Sequence, residues 1–270
     1  MTTGAESEQD RAKRHRQRTL FDAIAERYEE SRPSYPSRVT EFVTTTAALA
    51  PGAAILEIGC GTGQLTERLA NHGFHLTAID IGPSMVAAAR RRLAKAKAEA
   101  EVSFQVTSFE DLAAPDESFD LVISSAAFHW IDPEVAFGKS ARLLRPGGWL
   151  ALLDTEERYD HPLGPALDVL WIRYADTGGA WDRRPSHPEA IAATGLFTTP
   201  VCLVDTQRET STAAEVISLA STRATFLSWP PDTKHRFTEE LGRTLEPQPT
   251  VPLTRHTSVT MAQVPEDRTP

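Results

Sequence analysis

The chain has 270 residues, 40% of them hydrophobic, and a formal net charge of −9. That length fits one large domain with an appendage and a sizeable core. The acidic balance argues against a nucleic-acid partner, whose phosphates demand a basic face. No stretch approaches the roughly 18 apolar residues of a membrane span, and the polar N-terminus lacks a signal-peptide core. Cys60 and Cys202, the only cysteines, stand in no metal-ligand spacing. The expectation is a protein of the reducing cytoplasm with no metal site and no membrane partner.

Residues 1–18 read as a basic, disordered tail, with five Lys/Arg between positions 11 and 18. Such an arm either is solvated or binds a polyanion. Phe21, Ile24, Ala25 and Tyr28 recur at helical spacing and predict an amphipathic helix over 19–30. Pro33 and Pro36 end it, since each disfavours helix in the residue before. A second helix over 37–49 leads to the turn at Pro51-Gly52.

The stretch AAILEIGCGTG, residues 53–63, carries the most information. A short apolar run reads as a buried parallel strand. Gly59, Gly61 and Gly63 follow, which let the backbone turn sharply and approach a ligand without a Cβ in the way. The helix behind them, 64–71, offers free N–H groups and a partial positive charge. This is a nucleotide-type cofactor site at the end of the first strand of an α/β sheet. A dinucleotide fingerprint needs its third glycine where this chain has Gln64 or Leu65. The second strand, 75–80, ends in Asp80, placed to accept from both ribose hydroxyls.

Strands and helices then alternate. A helix runs from Ser84, read as its N-cap, to about residue 98; strand 102–107 precedes a segment with Ser108, Phe109 and Glu110. Strand 119–124 ends at Ser124 and Ser125, and Asp132-Pro133 starts a helix to 144. The fifth strand spans 149–154. This rhythm predicts a doubly wound, mostly parallel sheet with right-handed crossovers. Beyond 155 it breaks into a stretch rich in Trp, Tyr and Arg, including Trp171, Arg173, Tyr174, Trp181, Arg183, Arg184 and His187. Later elements are expected at 201–210, 213–228, after Pro231, and at 257–264.

Glu57-x-Gly59-x-Gly61-x-Gly63 resembles motif I of the Rossmann-like (class I) S-adenosylmethionine-dependent methyltransferases. The flanking segments, FDAIAERYEESRPSYP upstream and FEDLAAPDESFDLVISSAAFHWIDPEVAFGKSARLLRPGGWLAL downstream, extend the likeness. They resemble the small-molecule enzymes of the trans-aconitate methyltransferase-like type. The resemblance implies a Rossmann-like seven-stranded sheet with an antiparallel last strand and a helical substrate cap. The methyltransferase domain would span 19–270, with its core at 37–155, cap segments at 19–36 and 156–199, and C-terminal strands and helices at 200–270.

It also implies roles. S-adenosylmethionine would be the cofactor and a small molecule the methyl acceptor, on oxygen, nitrogen, sulfur or carbon, in a monomer or homodimer. Gly59, Gly61 and Gly63 would line the methionine end, Glu57 would support them, and Asp80 would take the ribose. Ile81 and Met85 would pack on the adenine, although Met85 at helical spacing equally suits a core. Ser108, Phe109 and Glu110 would face the adenine edge; relatives commonly carry Asp where Ser108 stands. Ser124 and Ser125 would border the transfer site. Tyr28 and Arg32 would close over the cofactor mouth, Arg32 either clamping a carboxylate or lying on the surface. His129 would be a general base if the acceptor must lose a proton, and otherwise a packed loop residue. The rivals are a tRNA or protein methyltransferase and a protein that binds the cofactor without transferring a methyl group.

Overall fold

The computed structural model describes residues 16, 18–96, 101–160, 162–174, 186–248 and 250–267. Seven strands form one sheet: β1 (Ala54–Ile58), β2 (His75–Asp80), β3 (Val102–Val106), β4 (Phe119–Ser125), β5 (Leu144–Tyr159), β6 (Val201–Ser211) and β7 (Val251–Gln263). Their order is β3-β2-β1-β4-β5-β7-β6. Strands β1 to β5 pair in parallel, while β7 is antiparallel to both β5 and β6. The last strand thus inserts between its two predecessors, and the doubly wound expectation holds.

Successive side chains of a strand face opposite sides of the sheet, and the two cores follow that alternation. Leu56, Ile58, Val122, Leu150 and Leu152 meet Phe128, Ile131 and Ala136 on one face. Ile55, Leu121, Ile123, Ala151 and Leu153 meet Val39, Val43, Leu65 and Leu69 on the other. The covering helices among the described residues are α1 (Ala25–Ser31), α2 (Ser37–Thr46), α3 (Gln64–Leu69), α4 (Pro83–Ala96), α5 (Pro133–Leu143), α6 (Leu163–Tyr174), α7 (His187–Thr194), α8 (Ala213–Ala220), α9 (Ala224–Ser228) and α10 (Pro231–Leu245). None of them is long and apolar enough to cross a membrane. At α5 the Asp132 carboxylate accepts from the Glu134 N–H at 3.0 Å, with Pro133 in the first turn, as its sequence predicts.

Four readings need correction. The helix expected over 19–30 is a 3₁₀ turn, Asp22–Ile24, followed by α1. The helix from Ser84 starts one residue earlier, and its cap comes from far away in sequence. Asp22 accepts from the Ser84 and Met85 N–H groups at 2.7 and 3.2 Å and from the Ser84 hydroxyl at 3.2 Å. The helix expected over 213–228 divides into α8 and α9, because Arg223 adopts an extended conformation between them. Strands β5 and β7 extend beyond their predicted ends because their outer halves carry charged residues on a buried face. Glu157 lies opposite Arg255 in the ladder, and the Arg255 guanidinium pairs with Glu157 and Glu209.

A third core, expected as a cap, lies apart from the two sheet cores. It joins Leu163, Leu167 and Leu170 of α6 to Val216, Phe226, Trp229, Phe237 and Leu241 of α8 to α10, with Phe21 and Ile24 packed against them. Residues 213–245, assigned above to the C-terminal part, therefore supply much of it. In contrast α7 packs on the sheet, with Ile191 in the first core. Trp181, Arg183, Arg184 and residues 1–15 and 17 lie outside the described residues.

Candidate active site

Strand order reverses direction of growth at β1, between β2 and β4, which opens a crevice at the carboxyl ends of the strands. A pocket occupies it, with about 690 Å³ of empty space when its open mouth is included.

The floor is the glycine turn. Gly59 and Cys60 donate to the Ile79 carbonyl at 2.8 and 2.9 Å, pinning the turn to β2. Gly59 has φ +71°, and a Cβ there would stand 2.3 Å from the Ala127 Cβ, so this position excludes a side chain. Gly63, φ +87°, caps the start of α3, and a Cβ there would stand 3.0 Å from Ala89 in α4. Gly59 and Gly61 both line the pocket.

Asp80 holds the opposite side of the turn. One carboxylate oxygen accepts from the Gly61 N–H at 3.0 Å and the other from the Gly82 N–H at 2.8 Å. Burial raises its pKa, and the two N–H groups oppose that shift. Each carboxylate oxygen has two lone-pair sites, so an acceptor site on each remains for a diol. Glu57 stands behind the turn. It does not line the pocket; it lies buried at the end of β1 and accepts from the Thr66 hydroxyl of α3 at 2.7 Å. Burial pushes its pKa up to about 8, against the Thr66 bonds. Glu57 therefore couples strand to helix as a largely neutral acid.

Ile81, Met85 and Phe109 form an apolar wall, with Met85 and Phe109 buried. Beside them, Ser108 donates to the Asp111 carboxylate at 2.6 Å and accepts from the Asp111 N–H at 3.0 Å, capping its own loop. Glu110 accepts a bidentate pair from Arg18 at 2.9 and 3.1 Å and the Asp132 N–H at 3.1 Å. Burial works against its ionised form, but the Arg18 bonds prevail and the pKa falls.

The roof is aromatic. Phe21 meets Tyr28 and Trp130 edge-on, both at 6.0 Å between centroids. Arg32 lies over the Tyr28 ring at 5.0 Å and donates to the Thr222 hydroxyl and carbonyl at 3.1 and 3.2 Å. It joins the roof to the cap outside the pocket lining. At the far end Ser125 lines the pocket and meets Tyr35, while Ser124 is buried and donates to the Ile58 carbonyl at 2.9 Å. His129 sits half-buried in the 3₁₀ turn Phe128–Trp130, its ring 4.8 Å from that of Trp130, and is not in the lining.

Tyr28, Gly59, Gly61, Asp80, Ile81, Met85, Phe109 and Ser125 thus converge on one pocket, while Arg32, Glu57, Gly63, Ser108, Glu110, Ser124 and His129 stand around it. Arg18, Phe21 and Trp130 were missed as lining residues. The i, i+7 spacing of Phe21 and Tyr28 on one helical face was the available signal for Phe21; Arg18 looked like the end of a solvated tail.

Comparison with known proteins agrees with this geometry. Residues 56–152 match the methyltransferase domain family. An uncharacterized methyltransferase of Mycobacterium tuberculosis is 35% identical over 133 residues, 49% of this chain and 51% of that protein. The malonyl-[acyl-carrier protein] O-methyltransferase of a Paenibacillus species is 35% identical over 164 residues, 58% of this chain and 59% of that protein. The chain thus spans only about half to three-fifths of these curated relatives. In three dimensions it resembles the YcgJ protein of Bacillus subtilis with TM-score 0.58 and 18% identity, over 86% of this chain and 100% of that one, a likeness of fold. Residues 56–152 thus match a methyltransferase domain, and the glycine turn and sheet order around them resemble those of the class I S-adenosylmethionine-dependent methyltransferases.

Proposed function

We propose that the protein transfers a methyl group from S-adenosylmethionine to a small-molecule acceptor. The observation that carries this reading is Asp80, whose carboxylate staples the glycine turn and faces a pocket with an apolar wall and an aromatic roof. The donor set fits the cofactor: acceptor sites for a ribose diol at Asp80, an apolar slot at Ile81, Met85 and Phe109 for a purine, and a Cβ-free turn at Gly59 and Gly61. When bound, the cofactor supplies an electrophilic methyl on a sulfonium centre.

The protein's own contribution is alignment and exclusion of water. Displacement at a methyl group needs the nucleophile in line behind it, and a dry site favours reactants whose charge is being lost. Phe21, Tyr28 and Trp130 provide the cover. Ser125, held by the Tyr35 hydroxyl, lines the pocket at the end of β4, where the acceptor would enter under the cap. Oxygen is the favoured acceptor atom in this reading, since the Paenibacillus relative is named an O-methyltransferase. His129, adjacent to the buried Trp130 wall, is the residue proposed to take the acceptor proton. A tRNA acceptor suits the net charge of −9 poorly.

Calorimetry with S-adenosylmethionine, S-adenosylhomocysteine and NAD, followed by transfer of labelled methyl to candidate acceptors, tests the proposal. Binding of both sulfur nucleosides and none of NAD is expected. Tight NAD binding without a response to either nucleoside would overturn it.

A further inference from the structure

The final arginine of the basic N-terminal run has a place in the pocket. Arg18 is a lining residue, 13% exposed, and its guanidinium makes three bonds across the mouth: two to the Glu110 carboxylate and one to the Trp130 carbonyl at 3.1 Å. Four residues on, Asp22 caps α4 on the facing wall. Between these two feet, Phe21 lies on Tyr28 and Trp130. Residues 18–22 therefore form a strap that stands on the β3–β4 connection at one end and on α4 at the other. Glu110 is held by both Arg18 and the Asp132 N–H, so its foot is itself fixed.

We propose that Arg18 is a positioning residue that retains the nucleoside end of the bound cofactor by latching this strap to Glu110. The planar guanidinium matches a carboxylate bidentately, with geometric specificity that an ammonium lacks. Both partners are largely shielded, so the pair is screened less than a surface ion pair. The strap crosses the purine side of the pocket, so a nucleoside leaves only after Arg18 lets go. The latch acts chiefly on the dissociation rate, as most tuning of affinity does.

This inference rests on the cofactor reading above, and its test separates the two. S-adenosylhomocysteine is the probe, with affinity measured by calorimetry and release measured by displacement with excess unlabelled ligand. Wild-type protein that fails to bind the probe overturns the cofactor reading. If it binds, Arg18→Ala should release the probe about tenfold faster with little change in the association rate. Arg18→Lys should fall between the two, because it keeps the charge and loses the fork. Glu110→Gln should match Arg18→Ala, and the double variant should release no faster than either single one. Release within twofold of wild type in folded Arg18→Ala overturns the latch. So does additive behaviour of the pair, or a loss of thermal stability with an unchanged release rate.

Discussion

Tyr35 and Ser125 meet hydroxyl to hydroxyl at 2.6 Å where β4 ends. The Tyr35 ring is packed against the second core, and burial holds its hydroxyl well above the ordinary phenol range, so it stays protonated. A protonated Tyr35 that donates to Ser125 leaves the serine proton to point at a ligand. Tyr35→Phe keeps the ring and removes this constraint. The expected outcome is wild-type affinity for S-adenosylhomocysteine by calorimetry, thermal stability lowered by about 1 kcal/mol for one hydrogen bond, and slower methyl transfer. Weakened nucleoside binding would place the pair at the cofactor instead.

Asp80→Asn removes the charge and one acceptor while keeping the shape. Affinity for S-adenosylmethionine should fall about 10- to 100-fold, corresponding to about 1.5–3 kcal/mol for bonds to a charged group. Stability should fall as well, because Asp80 also accepts from the Gly61 and Gly82 N–H groups. Calorimetry and thermal melts on the same sample separate the two losses; unchanged affinity would move the ribose contact to another residue.

Glu57 gives the protein a pH signature. Its pKa rises from an ordinary 4.5 to about 8 on folding. Below 4.5 both folded and unfolded chains carry the proton and the group costs nothing. Between 4.5 and 8 the unfolded chain releases it while the folded one holds it, so stability falls as pH rises, by at most about 1.4 kcal/mol per unit. Above 8 the cost is complete. Glu57→Gln, which still accepts from Thr66, should remove this dependence. Urea denaturation of both proteins from pH 5 to 9 measures it, and parallel curves would contradict it.

His129→Gln tests the proposed base. If the acceptor loses its proton to His129, turnover should drop about 10²–10⁴-fold, with nucleoside affinity retained. Near-wild-type turnover with an unaltered pH profile would leave His129 as a packing partner of Trp130.

The parallel half of the sheet and the glycine turn were legible in the sequence because each is a local pattern. An apolar run, three glycines and a strand-end acid sit within 30 residues of one another. The outer ends of β5 and β7 were hidden because the charges of Glu157 and Arg255 come to face each other only after the strands pair. Alternation along β1 turns Glu57 to the face where Thr66 of α3 waits, a partner nine positions away that only the packed helix supplies. The Asp22 cap and the Arg18 latch join residues separated by 62 and 92 positions, and no window along the chain holds both partners.

The insertion of β7 between β5 and β6 also dictates the order in which the fold can close. As the chain emerges during synthesis, β6 appears before β7, its neighbour in the finished sheet, and the outer half of β5 waits for that same strand. Both edges stay open until residues 251–263 arrive, and an open edge is a template for pairing with other chains. Folding of the distal half is thus governed by long-range closure, the slow kind of contact. A nascent chain paused within 212–250 would display β6 unpaired and the cap without its floor, and that stage is where aggregation should compete with folding.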